Sequence, residues 1–240
     1  MRGLIVAVTL YLGAAGAMAA DKVQLVFSEF YPISHTEKGQ PAGPGVELMR
    51  ELTKGLPVEF HTQSTPLKRM LVMAPSRPLI VAALIRTSRR ETDFDWIGEL
   101  YRDSLVMVTA KPNPRIDDLE QARSLGHIGV TLGGVAEALL RERKFTNFEA
   151  SLDMTAQARK LASNRVDGWC ALRQSARSAW RVTGHDPADL QMGPEIMDVS
   201  IWIAASKSVP REMVAELKRR FAALDRNGTL AAELGELRGR

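Results

Sequence analysis

One cysteine, Cys170, stands in the 240-residue chain, so no intrachain disulfide can form and the fold has to rest on its packed core. Cys170 lies in the apolar segment VDGWCAL, where a buried small hydrophobe is the expectation rather than a reactive thiol. The four histidines, His35, His61, His127 and His185, are widely spaced and lack cysteine neighbours; that pattern supplies no metal site, and no cofactor motif is present either. Aromatic residues are sparse at 6%, and the basic residues, such as Lys218 to Arg220, are scattered without aromatics among them. Nucleic-acid binding is therefore not expected. Beyond the first twenty residues the longest apolar run is Leu79 to Ile85, too short to cross a bilayer. The chain also has no internal repeat and no Gly, Ser or Pro-rich tether, so any two lobes have to be joined by strands or short crossings.

What is present begins at the N-terminus. Arg2 precedes an apolar stretch from Leu4 to Leu12 and the small-residue run GAAGAMAA, the layout of a signal peptide cleaved after Ala19 or Ala20. Residues 1–20 are thus read as an export signal and the remainder as a soluble, periplasmic, monomeric protein. The formal charge of +4 falls by only the one charge of Arg2, and a mildly positive balance is compatible with an anionic solute.

Short apolar segments alternate with amphipathic ones. Strands are expected at 23–27, 57–61, 78–85, 104–109, 127–131, 164–172 and 198–205. Helices are expected at 45–56, 66–73, 116–124, in LGGVAEALLRER, and at 155–162, 174–182 and 210–224. The class is α/β. The unbroken run PLIVAALI suits a strand covered on both faces. It turns abruptly polar at RTSRRE (Arg86 to Glu91), and ligands of open α/β sheets collect beyond the carboxyl ends of strands. Arg90 in that loop is the principal candidate, because a guanidinium presents a planar fork that a carboxylate accepts in bidentate fashion; the alternative is a surface arginine.

The order of parts resembles the type 2 periplasmic solute-binding proteins, the bacterial extracellular solute-binding family 3 of amino-acid ABC transporter receptors. The phrases that carry the resemblance are FYPISHTEKGQPAGPGVELMREL, IVAALIRTSRRETDFDWIGELY, IGVTLGGVAEALL, RVDGWCAL and LDRNGTLAAEL. The resemblance implies a bilobal fold, each lobe a β-sheet flanked by helices, with a ligand cleft between. Lobe one comprises 21–108 and 199–240, lobe two 109–198, and the hinges lie near Thr109 and Asp198.

The resemblance places Arg90 where the family binds a substrate carboxylate, and Tyr31 where an aromatic packs over the ligand, the other reading of Tyr31 being a core tyrosine beside Phe30. The Ala82–Ala83 backbone, Ile85, and the Gly134–Val135 backbone at a helix start complete the expected site, with Gly133 and Gly134 otherwise a plain turn. Arg69 is a second cation toward the cleft or an exposed helix arginine. The family's hydroxyl residues after the central strand are replaced by Ala82, Ala83 and Ile85, and its acidic partner for the ammonium by Leu172; Glu29 is the available substitute.

The implied function is capture of a small carboxylate for an ABC transporter's membrane subunits or for a membrane sensor. The competing reading is an enzyme like the periplasmic cyclohexadienyl dehydratases. For that chemistry Glu29, His35 and Glu137 are the candidate acid–base groups.

Overall fold

The computed structural model describes residues 22–61 and 63–238; the expected signal peptide lies outside them. The chain opens with β1 (Val23–Val26), a hairpin of β2 (His35–Glu37) and β3 (Gln40–Ala42), α1 (Pro44–Thr53), β4 (Val58–Phe60), α2 (Leu67–Met73) and β5 (Leu79–Ile85). A 3₁₀ turn at Ser88–Arg90 leads into β6 (Phe94–Ala110), α3 (Leu119–Ala122), β7 (Ile128–Thr131), α4 (Val135–Glu142), β8 (Phe148–Ser151), α5 (Met154–Ala162), β9 (Gly168–Leu172) and α6 (Arg173–Val182). β10 (Leu190–Met192), β11 (Met197–Ser206), α7 (Arg211–Arg226) and α8 (Thr229–Arg238) complete it.

The local causes are ordinary ones. α1 starts with Pro44 in its first turn and buries Val46, Leu48, Met49 and Leu52 while Glu47, Arg50 and Glu51 face water. Asp118 and Asp153 cap α3 and α5 by accepting the amides of Gln121 and Ala156. All seven residues of β5 are buried, as its unbroken apolar run requires: it pairs in parallel with β1 and antiparallel with β11.

The main sheet runs β4-β1-β5-β11-β6-β9-β7-β8, with β10 also on β6. Its two ends belong to two helix-flanked packets, and β6 and β11 are the strands that connect them. β6 pairs with β11 from Phe94 to Leu105, then with β9 from Leu105 to Val108. The change of partner falls at Ser104–Leu105, opposite Asp198 and Met197.

Three expectations are corrected. Residues 104–109 are not a separate strand but the second half of the 17-residue β6. The polar pair Arg102–Asp103 does not interrupt it, because Arg102 pairs with Asp198 across the ladder and Asp103 accepts amides from its own strand's Ser104 and from Gln174. The strand expected from Asn164 begins at Gly168, since Asn164 turns the chain with a φ of 55°. The helix expected over 116–124 contracts to Leu119–Ala122. The short strands β2, β3 and β10, with three residues each, carry no periodicity by which a sequence reading could find them.

α7 lies against β6 where Gly98 leaves room: a Cβ built there would sit 2.2 Å from the Phe221 ring. Two register shifts in the β11–β6 ladder bend this segment, and the Glu99 and Leu100 carbonyls accept from the Arg238 guanidinium of α8.

Candidate functional site

Three arginines follow β5 within five residues, and the fold sends each to a different environment. Arg86 lies over the rings of Trp96 and Trp202, 5.4 and 4.7 Å from their centroids, and is held bidentately by Glu91. Arg89 reaches Glu142 at the end of α4, 3.1 Å away, with both side chains largely in solvent. Arg90 turns inward. Its Nη1 donates to the carbonyl of Ile85 at 2.8 Å and its Nη2 to the carbonyl of Gly133 at 3.1 Å.

That second bond joins the end of β5 to the loop before α4. Among the described residues Arg90 has no acidic ion-pair partner, and burial pushes its guanidinium down to about 10. It remains charged at neutral pH, and a half-buried cation without a counter-ion is costly unless an anion arrives from outside.

Gly133 has a φ of +77°, and a Cβ on it would sit 3.2 Å from the Lys68 backbone of α2, so a residue with a side chain does not fit there without strain. Its amide is accepted by Glu137 Oε2 at 2.6 Å, and Glu137 Oε1 accepts from Arg141. Burial acts to raise the Glu137 carboxyl, but the Gly133 amide and Arg141 outweigh it and hold the group below its ordinary range.

Between the two packets lies a cleft with about 670 Å³ of empty volume. One wall is built from Ser28 to Phe30, the end of β5 at Ala83 to Ile85, and Arg90. The facing wall comes from Thr131, from Gly134 to Ala136 at the start of α4, from Leu152 and Met154, and from β9. Leu105 of β6 and Leu67 of α2 close it. Arg90 and Glu29 are the two charged side chains of this lining, the remainder being mostly apolar.

Of the residues singled out from sequence, Arg90, Ala83, Ile85, Gly134 and Val135 come together on this cleft. Ala82, Tyr31 and Arg69 are not among its lining. Ala82 is buried in β5, and its carbonyl lies 3.4 Å from the Cβ position of Gly45 in α1. Tyr31 is half-buried and stacks on His35 with centroids 4.6 Å apart, while Phe30, tied by reciprocal backbone bonds to Ser34, lines the cleft. Arg69 is exposed on α2.

Glu29 lines the cleft with its oxygens accepting from the Thr36 amide and hydroxyl. His35 and Glu137 are not among the lining residues, so the three candidate acid–base groups do not converge. Sequence reasoning missed Leu105, Leu152, Met154 and Trp169. Trp169 and Leu105 read as core; β9 pairs with β6, Leu172 opposite Leu105 and Trp169 opposite Val108, and both residues line the cleft.

Fold and cleft together define the two-lobed architecture of type 2 periplasmic binding proteins. No family model and no curated protein matches the chain; solved structures do. A mutant of ArgBP from T. maritima superposes with a TM-score of 0.78 at 16% identity, over 90% of this chain and 94% of that one. An ancestral arginine-binding protein bound to glutamine gives 0.78 at 17%, over 91% and 98%. A histidine kinase sensor domain with similarity to periplasmic binding proteins gives 0.78 at 16%, over 90% and 95%. At such identities the likeness is one of fold.

Proposed function

We propose that this chain is an extracytoplasmic solute-binding protein of the amino-acid-receptor type. It captures a small carboxylate-bearing solute by closure of two lobes, with Arg90 as the carboxylate anchor. The observation that carries the reading is Arg90 itself, a half-buried guanidinium without a counter-ion among the described residues, at the mouth of β5 and bonded to both walls of one cleft.

Of the guanidinium's five N–H donors, two bonds to carbonyls hold it in place and the rest remain for a ligand. The first-turn amides of α4, at Val135 and Ala136, lie in the facing wall and have no acceptor within their own helix. Residues 21–108 and 199–240 form lobe one and 109–198 lobe two, with the hinge where β6 and β11 cross from one to the other. The pairing change at Ser104–Leu105 and its partners Met197 and Asp198 support that hinge, a few residues before the Thr109 position expected from sequence.

A solute contacting both lobes favours the closed form by its differential affinity. Delivery to an ABC transporter is the reading favoured here. A sensor role is the second one, for which the similarity to a kinase sensor domain speaks. Binding is favoured over turnover because the cleft gathers no acid–base pair: Glu137 is clasped by Arg141 and the Gly133 amide, and His35 stacks on Tyr31.

A thermal-shift screen of amino acids, keto acids, dicarboxylates and aromatic acids on the purified protein is expected to give a saturable rise in Tm for at least one acid. Arg90→Ala is expected to weaken that acid by at least about 100-fold, as truncating one partner of a buried charge pair does. Affinity unchanged in Arg90→Ala would sink the site, and turnover of prephenate would replace the receptor reading with an enzyme.

A further inference from the structure

The cleft carries one charge of each sign. Arg90 stands beyond the carboxyl end of β5 and Glu29 beyond that of β1, two strands that pair in parallel. Arg90 is held by the carbonyls of Ile85 and Gly133, neither of which answers its charge. Glu29 is the one carboxylate among the described lining residues. Its oxygens accept from the Thr36 amide at 3.1 Å and from the Thr36 hydroxyl at 2.6 Å, and from no cation among the described residues. A carboxylate has about four acceptor sites, so Glu29 keeps room for a donor from outside. Two charges of opposite sign on one wall, neither neutralised by the protein, fit a solute that brings an anion and a cation of its own.

The rest of the lining sets the body of that solute. β6 contributes Leu105, β9 ends in the buried Leu172, and the segment after β8 adds Leu152 and Met154. Leu152 is 59% exposed, one of three large apolar side chains so exposed among the described residues, and an apolar body would cover it. Thr131 pairs with Ser151, the residue before Leu152, so one hydroxyl borders this wall. A single hydroxyl does not satisfy a carboxamide, with its two donors and an acceptor, nor the five donors of a guanidinium. With Glu29 occupied by one cationic group, a second such group would lose its water against leucines and a methionine.

We infer that the cleft takes an α-amino acid with an apolar side chain. Arg90 holds its carboxylate, Glu29 its ammonium group, and the wall of Leu105, Leu152, Met154 and Leu172 its side chain. Glu29 thus determines the preference for the amino acid over the plain acid, and Leu152 contributes to the preference for an apolar body. The inference rests on the reading of Arg90 as carboxylate anchor and goes beyond it by assigning the second pole and the class of side chain.

The test is calorimetric titration of the mature chain with six solutes: leucine and phenylalanine, their deaminated matches 4-methylpentanoate and 3-phenylpropanoate, and glutamine and arginine. Each titration is repeated in Arg90→Ala, Glu29→Gln and Leu152→Asn. Leucine or phenylalanine is expected to bind in an Arg90-dependent manner, and its deaminated match to be at least about 30-fold weaker, the scale of a lost charge-assisted bond. Glu29→Gln should bring the amino acid down to the level of that match while leaving the match itself unchanged. Glutamine and arginine should also be at least about 30-fold weaker, the scale of a polar group buried without its partners. Leu152→Asn, at an exposed position, should weaken the apolar amino acid about 5-fold, as a partly covered leucine side chain warrants.

Arg90-dependent binding of glutamine or arginine as tight as that of leucine and phenylalanine would overturn the inference while leaving Arg90 as anchor. So would a deaminated acid that binds as tightly as its amino acid, amino-acid binding indifferent to Glu29→Gln, or binding of acids without either apolar amino acid. Binding indifferent to Arg90→Ala would overturn the anchor as well. The wild-type ratios decide the class of solute whatever the variants do.

Discussion

At the scale of single residues, environment rather than residue type assigns the roles. Arg86, Arg89 and Arg90 share one loop, yet Arg86 is committed to a tryptophan–glutamate clamp and Arg89 to an exposed pair of small worth. Arg90 alone of the three lines the cleft. Asp103 shows the same logic at the strand crossing. Burial pushes its carboxyl up to about 6, against the opposing pull of the amides of Ser104 and Gln174. The unfolded chain would titrate this group near about 3.9. Between those values the folded state binds the proton more tightly, so the group's contribution to stability is full below about pH 4 and is lost as pH rises through about 6. The stability of the wild type relative to Asp103→Asn is therefore expected to fall from pH 4 to pH 6.5 by on the order of 2 kcal/mol. Chemical denaturation of both proteins across that range checks it, and a flat difference would show that Asp103 does not titrate there.

Among the elements, β6 decides most. Seventeen residues of continuous strand serve two neighbours in succession, β11 and then β9, so the same element supplies sheet to one packet and cleft wall to the other. Its bent middle depends on α7 and α8 packing over Gly98 and bonding the Glu99 and Leu100 carbonyls. Gly98→Ala forces a methyl into the Phe221 ring, and overpacking of this kind costs about 1–3 kcal/mol. The expected outcome is a Tm lowered by about 2–4 °C for each kcal/mol. Gly98→Ala combined with Phe221→Leu should recover part of the loss, and calorimetry of the pair separates this local clash from a general weakening of the strand.

For the whole molecule, close approach of distant segments matters most. Arg90 to the Gly133 carbonyl, Arg89 to Glu142, and the Lys68 backbone against Gly133 all span the cleft. Gly133→Ala would add strain at a φ of +77° and a methyl 3.2 Å from Lys68 Cα. It is expected to hold the lobes apart, weakening solute binding about 10-fold, since a binding-competent form that is less populated lowers apparent affinity in proportion. Small-angle scattering should show the solute-saturated variant more extended than the wild type; equal compaction would mean that Gly133 does not limit closure.

Composition and periodicity alone determined the α/β class, the buried central strand at Leu79 to Ile85, most helices, and the polar junction that holds Arg90. These depend on interactions between near neighbours in the chain, and the apolar run followed by RTSRRE declares them. Which loop arginine turns inward, that Phe30 rather than Tyr31 faces the cleft, and that Leu105, Trp169 and Leu172 form its wall were decided only by tertiary structure. The reason is geometric: side chains alternate along a strand, so exposure to a cleft depends on register with partners distant in sequence. The register Leu105 to Leu172 joins residues that no local pattern connects. That the Ile85 and Gly133 carbonyls are both taken by Arg90 is likewise a property of the folded arrangement and not of any one segment.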